Sequence, residues 1–344
     1  MSVFPNFFGN AETATTLRQM IDAERIPQTI LLAGPAGVGK ATLARRFGAE
    51  LLGNAAQIEQ DDLSSKENQA TIADREKLPS DKRADDPYVL SSHPDFLTFP
   101  PDGPLRQISI QQIRLLKERA QFQPLKGRHR IFLIDQIDRA NEQAANSLLK
   151  ILEEPPPYLI LLLTATNPYD LLPTIRSRSL IFAMRRLEEG EMRQFVRERG
   201  LDHPERRLAL ASGCPGAAVS IDIESYDKRR EAMLQMLATG SGRSTFGEWA
   251  KFSESIGMRK TEKLEDQLLV LYDLLEDLLL VQNGRAPLRN PDVTRQLQAI
   301  AQQVDFRWIR NACSKVDELA DYLRRNIQKT IALDALALEL RSRA

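Results

Sequence analysis

The chain has 344 residues, too many for one ordinary hydrophobic core, and one domain per roughly 100 to 200 residues implies two or three domains. Lys+Arg and Asp+Glu both number 47, so the net charge is zero and predicts no strong general attraction to a polyanion; any nucleic-acid contact would have to come from a local patch or from partners. Two distant cysteines, Cys214 and Cys313, without a CxxC argue against a zinc module and a disulfide framework. Met1 to Pro5 has no basic region ahead of an apolar core, and apolar runs such as Leu159 to Leu163 are too short for a bilayer, so a soluble, cytoplasmic protein is expected.

Ala14, Leu17 and Ile21 stand near helical spacing and predict an amphipathic helix over 11–25, closed by Pro27. A strand from Thr29 to Ala33 leads into Gly34-Pro35-Ala36-Gly37-Val38-Gly39-Lys40, which satisfies the G-x-x-x-x-G-K part of a phosphate-binding loop between strand and helix. Gly34, Gly37 and Gly39 let backbone N–H groups turn toward phosphate oxygens, while the helix N-terminus and Lys40 add favourable charge. ATP is therefore a possible ligand. The motif wants Ser or Thr next, to hold magnesium, but the residue is Ala41; Thr42 is one residue late and about 100° further around the helix.

Residues 57–87 are polar and charged with almost no apolar periodicity, which predicts a mobile surface insertion. His93 to Leu97 is expected as a short strand, and Ile110, Ile113, Leu116 and Ala120 define a helix within 108–122. Arg130 to Asp135 is a buried strand. Asp135 ends it where an aspartate would hold magnesium through water, but the next residue, expected to be the glutamate that polarises the attacking water, is Gln136. Two defects in one mechanism predict binding without hydrolysis.

A helix carrying Asn146 and Lys150 breaks at Glu153-Glu154-Pro155-Pro156, whose glutamates are expected to be solvated. A strand over 158–164 follows, then Thr166-Asn167, then Arg176-Ser177-Arg178-Ser179, and a strand over 179–182. Continuous apolar strands between helices indicate a parallel sheet covered on both faces. Residues 187–239 read as a helical lid with a turn at Gly213-Cys214-Pro215-Gly216, Cys214 being a small buried filler. Beyond Ser244, Leu264, Leu268, Leu271, Leu275, Leu278 and Leu279 trace one helical stripe, and Ile327, Ile331, Ala335 and Leu338 another. The expected domains are 1–184 (with the 57–87 insertion), a lid over 185–243 and a helical domain over 244–344.

In this order, the phosphate loop, His93-Pro94-Asp95, the Asp135 strand, Asn146 to Pro156 and Ser177-Arg178 resemble the sliding-clamp loaders, a family of AAA+ ATPases. The resemblance covers residues 1 to about 220; past 245 only the helical character and the ending near Asn326 to Leu340 are similar to the family's collar. It implies an α/β P-loop AAA+ module, a small helical lid and an all-α collar. It also implies membership of a heteropentamer, with no membrane involved, in which tau/gamma motor subunits hydrolyse ATP, a delta subunit opens the sliding clamp, and primed DNA is reached through the assembly. The family's Ser-Arg-Cys arginine reaches the γ-phosphate of the next subunit; Ser177-Arg178-Ser179 departs at the third residue, and Arg178 is the expected trans-acting finger, with Arg176 a lesser assistant. Many relatives insert a four-cysteine zinc module where this chain has the cysteine-free 57–87 segment, so no zinc is expected. The incomplete hydrolytic equipment fits the family's rigid stator. A motor using Thr42 or a water, a P-loop nucleotide kinase, and an interaction protein with a vestigial loop remain the alternatives.

Overall fold

The computed structural model describes residues 3–258, 264–322 and 328–341. They group into two compact units, 1–202 with 213–220, and 203–212 with 221–344.

The first unit opens with α1 (Ala11–Asp22), β1 (Thr29–Ala33) and α2 (Lys40–Leu52), continues through the short helices α3 (Ala55–Ile58), α4 (Lys66–Glu76) and α5 (Ser80–Asp85), and then enters β2 (Leu90–His93) and β3 (Phe96–Phe99). After these come α6 (Ile110–Ala120), β4 (Arg130–Ile134), α7 (Glu142–Glu153), β5 (Leu159–Ala165), α8 (Pro173–Ser177) and β6 (Leu180–Ala183). The six strands lie in the order β2-β3-β4-β5-β1-β6. All neighbours are parallel except β2 and β3. Every residue of β1, β4 and β5 is buried, which is why these strands read as unbroken apolar runs rather than alternating ones. The equally apolar β6 sits at the sheet edge, with Leu180 and Ile181 exposed.

His93 to Leu97 is not one strand. Proline cannot donate to a ladder and aspartate favours turns, so Pro94-Asp95 closes a hairpin between β2 and β3. The fully buried Asp95 carboxylate accepts the backbone N–H groups of Leu125 and Lys126, each at 2.8 Å, and thereby ties down the loop before β4.

The segment 57–87 is also different from the mobile insertion its composition predicts. Its helices are anchored by Ile58 and Ile72 and, above all, by buried polar groups. Asp61 accepts the Ser92 N–H at 3.1 Å, Arg45 pairs with Asp62 at 2.9 Å, and Arg75 reaches Asp102 at 2.8 Å and the Asp86 carbonyl at 2.7 Å. Ser65 caps α4.

Further on, α9 (Glu189–Glu198) groups with the sheet, α10 (Pro204–Ala211) with the second unit, α11 (Pro215–Ser220) with the sheet again, and α12 (Ile223–Gly240) with the second unit. The second unit adds α13 (Phe246–Met258), α14 (Leu264–Gln282), α15 (Thr294–Ala301), α16 (Phe306–Tyr322) and α17 (Lys329–Arg341) around a core that includes Trp249, Leu271, Leu274, Leu278, Trp308 and Leu333. Leu264, Leu268, Leu271, Leu275 and Leu278 are buried and Leu279 partly so. The second stripe is out of phase: Ile327 lies outside the described residues, and Ile331, Ala335 and Leu338 face solvent, while Ala332, Leu333, Leu336, Ala337 and Leu340 are buried. The inward face of α17 therefore combines three leucines with two alanines, shifted one position in phase from the expected stripe. A polar network accompanies this core. Arg206 and Arg230 pair with Asp227 and Asp292, and Asp277 accepts the N–H groups of Arg289 and Asn290 at 2.7 and 2.9 Å.

Candidate nucleotide site and an arginine at the opposite end of the sheet

Parallel strands deliver their carboxyl ends to one edge of the sheet, and that is where the phosphate loop lies. Gly34 leaves β1 so close to the next segment that an added Cβ would stand 2.3 Å from the Met184 carbonyl oxygen. Gly37 has φ +76, and its carbonyl accepts the Gly216 N–H at 2.7 Å, which fastens the loop to the start of α11. Gly39 begins α2 from a left-handed conformation. Lys40 is buried and folds back on the loop, its ammonium donating to the Gly34 and Pro35 carbonyls at 2.6 and 2.8 Å. Burial lowers the Lys40 pKa, opposed by the nearby negative charges of Asp135 and Asp138.

Asp135 follows β4, and β5 separates that strand from β1. The hydroxyl of Thr164, at the end of β5, donates to the Asp135 carboxylate at 2.6 Å and accepts the Gln136 N–H at 2.8 Å. Gln136 adopts a left-handed conformation that ends the strand abruptly. Asp138 falls in the following turn and accepts the Thr166 N–H at 3.0 Å. Asn167 takes a turn role, its side chain accepting the Tyr169 N–H at 3.1 Å. Thus Gly34, Gly37, Gly39, Lys40, Asp135, Thr164 and Asp138 gather at one edge. The half-buried Thr42 stands in the first turn of α2, and Ala41 brings a methyl group where a metal-binding hydroxyl belongs. The backbone and lysine suit a phosphate; the metal half of such a site lacks its hydroxyl. Asp138 is the residue sequence could not place, because whether strand or helix follows Asp135 decides where it points.

Arg178 is elsewhere. Strands β1 and β6 run parallel with Ile30 opposite Leu180, so Arg178 lies before the start of β6 while Gly34 lies past the end of β1. The five residues of β1 set these levels roughly 16 Å apart at about 3.3 Å per residue. The arginine is exposed, donating through Nη2 to Glu153 at 2.8 Å and through Nη1 to the Thr174 carbonyl at 3.2 Å. Glu153 is therefore not merely solvated. Arg176 instead lies over the exposed ring of Tyr169, 5.1 Å from its centroid.

A phosphate loop and an acidic strand end on a mostly parallel sheet, followed by helices, define a P-loop AAA+ module. The chain belongs to the family described as DNA polymerase III, delta subunit, whose model matches residues 9–188, just over half of the chain. Its relatives are DNA polymerase III clamp-loader subunits. Subunit delta' of Pseudomonas aeruginosa is 30% identical over 210 residues, 60% of this chain and 58% of that protein. Subunit gamma/tau of Mycobacterium bovis is 29% identical over 197 residues, 56% of this chain and 30% of that protein. The matched stretch spans less than two thirds of either relative. Among solved structures, a gamma subunit-related protein from Thermotoga maritima aligns over 95% of this chain and 99% of its own, with a TM-score of 0.45 and 17% identity.

Proposed function

We propose that this chain is the delta-prime, or stator, subunit of a DNA polymerase III clamp loader. It joins tau/gamma motor and delta subunits in a heteropentamer and helps place the sliding clamp on primed DNA. Its own contribution to catalysis is Arg178, lent in trans to ATP on a neighbouring motor subunit, where a guanidinium fork offsets charge on the transferring phosphoryl group. The observation that carries this reading is the combination of an incomplete loop at one end of the sheet with an exposed arginine at the other. A residue roughly a strand length from its own loop is placed to serve another subunit's. Residues 244–344 act as the collar through which subunits join, with 185–243 as the lid.

ATP binding by this chain is supported by the loop glycines and Lys40, but Lys40 must first leave the Gly34 and Pro35 carbonyls. Hydrolysis is disfavoured by Ala41, which lacks the hydroxyl that would ligate magnesium, and by Gln136, whose amide cannot take a proton from the attacking water. The similarity to gamma/tau keeps one other reading in view, a motor subunit that uses Thr42.

Two measurements separate them. Phosphate release by the isolated chain is expected at background, and turnover comparable to a motor subunit would overturn the stator reading. In the reconstituted complex, Arg178→Ala is expected to leave assembly intact while lowering clamp- and DNA-stimulated ATPase by about tenfold or more; unchanged activity would remove the finger role.

A further inference from the structure

We infer that Glu153 is a positioning residue for Arg178, an inference that rests on the trans-acting role proposed for that arginine. Glu153 ends α7, and Glu154 leaves helical geometry (φ −131°, ψ 65°) ahead of Pro155, as a residue before proline does. The proline break therefore fixes where the last turn of α7 stops, and with it the site of the Glu153 carboxylate. Helix α8 is set against α7 through Ile175, which shares a core with Leu148, Ile151 and Leu152. Two rigid elements thus each present one acceptor to the same guanidinium: Glu153 takes Nη2 at 2.8 Å and the Thr174 carbonyl takes Nη1 at 3.2 Å.

Acceptors on two different nitrogens fix the plane of the fork as well as its place. The Nε hydrogen and the second hydrogen on each Nη are left to meet a phosphate. An arginine free in solvent spreads over many rotamers, and restricting them before the neighbour arrives removes an entropic cost from the transition state. The pair itself does little for folding, because the two side chains are 35% and 50% exposed. Its effect belongs to orientation, and it gives the Glu153 to Pro156 run a part in the function.

The test uses the reconstituted clamp-loader complex with clamp and primed DNA. Glu153→Ala is expected to lower kcat for ATP about 5-fold, as one lost anchor on a mobile side chain would, with KM unchanged because ATP is bound on the neighbour. Glu153→Gln keeps an acceptor oxygen and is expected to recover most of the rate. In an Arg178→Ala background, Glu153→Ala is expected to cost nothing further. If Arg178→Ala is severely impaired while Glu153→Ala matches or exceeds the unsubstituted complex, the positioning role is overturned and the finger stands. A further loss from Glu153→Ala in the Arg178→Ala background overturns it as well. Full activity of Arg178→Ala removes the finger reading and this inference together.

Discussion

His93 illustrates how a single buried side chain can make the sheet unit sensitive to pH. Its Nδ1 accepts the Asp95 N–H at 3.2 Å, so the imidazole is neutral at that nitrogen, and burial holds its pKa below the usual histidine value against the opposing charge of Asp95. The folded pKa is thus below the unfolded one. Such a group's stabilisation is complete above the unfolded pKa, near 6.5, and is lost as pH falls through the folded value. His129, also depressed by burial, acts in the same direction, whereas burial raises the Asp61 pKa and acts oppositely. The difference between native chain and His93→Asn isolates the effect: urea midpoints of the native chain are expected to fall more steeply below pH 6.5 than those of the variant, and parallel curves would refute this. Residues of this kind differ in legibility. Lys40 and Asp135 could be read from sequence because a loop motif and a strand end give each a fixed place. Glu153 could not, because the group it holds is 25 residues away and no spacing rule links an ion pair across two helices.

At the level of elements, hydrophobic pattern found β1, β4 and β5 but failed on 57–87, and the cause is physical. Periodicity reports apolar faces, whereas α4 is held mainly by polar anchors: Arg75 is buried, bonds Asp102 twice, and lies 4.9 Å from the Tyr88 ring centroid. Its hydrogen bonds to Asp102 raise the Arg75 pKa, so the guanidinium stays charged throughout the physiological range. Removing one member leaves the other's charge buried without compensation. Arg75→Ala is accordingly expected to destabilise the sheet unit by about 3 kcal/mol in urea unfolding and to open 57–87 to limited proteolysis. Lys82→Ala, at an exposed position of a helix with no buried residue, is expected to change neither, so equal behaviour of the two variants would contradict the anchor. The same limit explains β6. Its composition matches the buried strands, but the order of the sheet leaves one side without a neighbour, and order depends on contacts far apart in sequence.

At the scale of the whole molecule, α17 bears on the proposed assembly because it has two apolar faces and uses only one internally. Leu333, Leu336 and Leu340 are buried, whereas Ile331 is 60% exposed and Leu338 50% exposed. Sequence gives both faces helical spacing and cannot say which turns inward; packing against the rest of the core decides it, and Ala332, Leu333, Leu336, Ala337 and Leu340 are the residues buried. Solvent-facing branched residues on a helix of the proposed collar are what a subunit in the proposed ring needs for a neighbour. Replacing them should therefore separate assembly from folding. Ile331→Glu with Leu338→Glu is expected to shift stability by no more than about 0.5 kcal/mol, as exposed substitutions do, and yet to abolish co-purification with motor and delta subunits. Leu333→Ala serves as the opposite control, losing about 3 kcal/mol through a core cavity. If the doubly charged variant still enters the complex at native yield, this face of α17 is not the joint, and the exposed Leu269 of α14 and Phe306 of α16 become the next residues to replace.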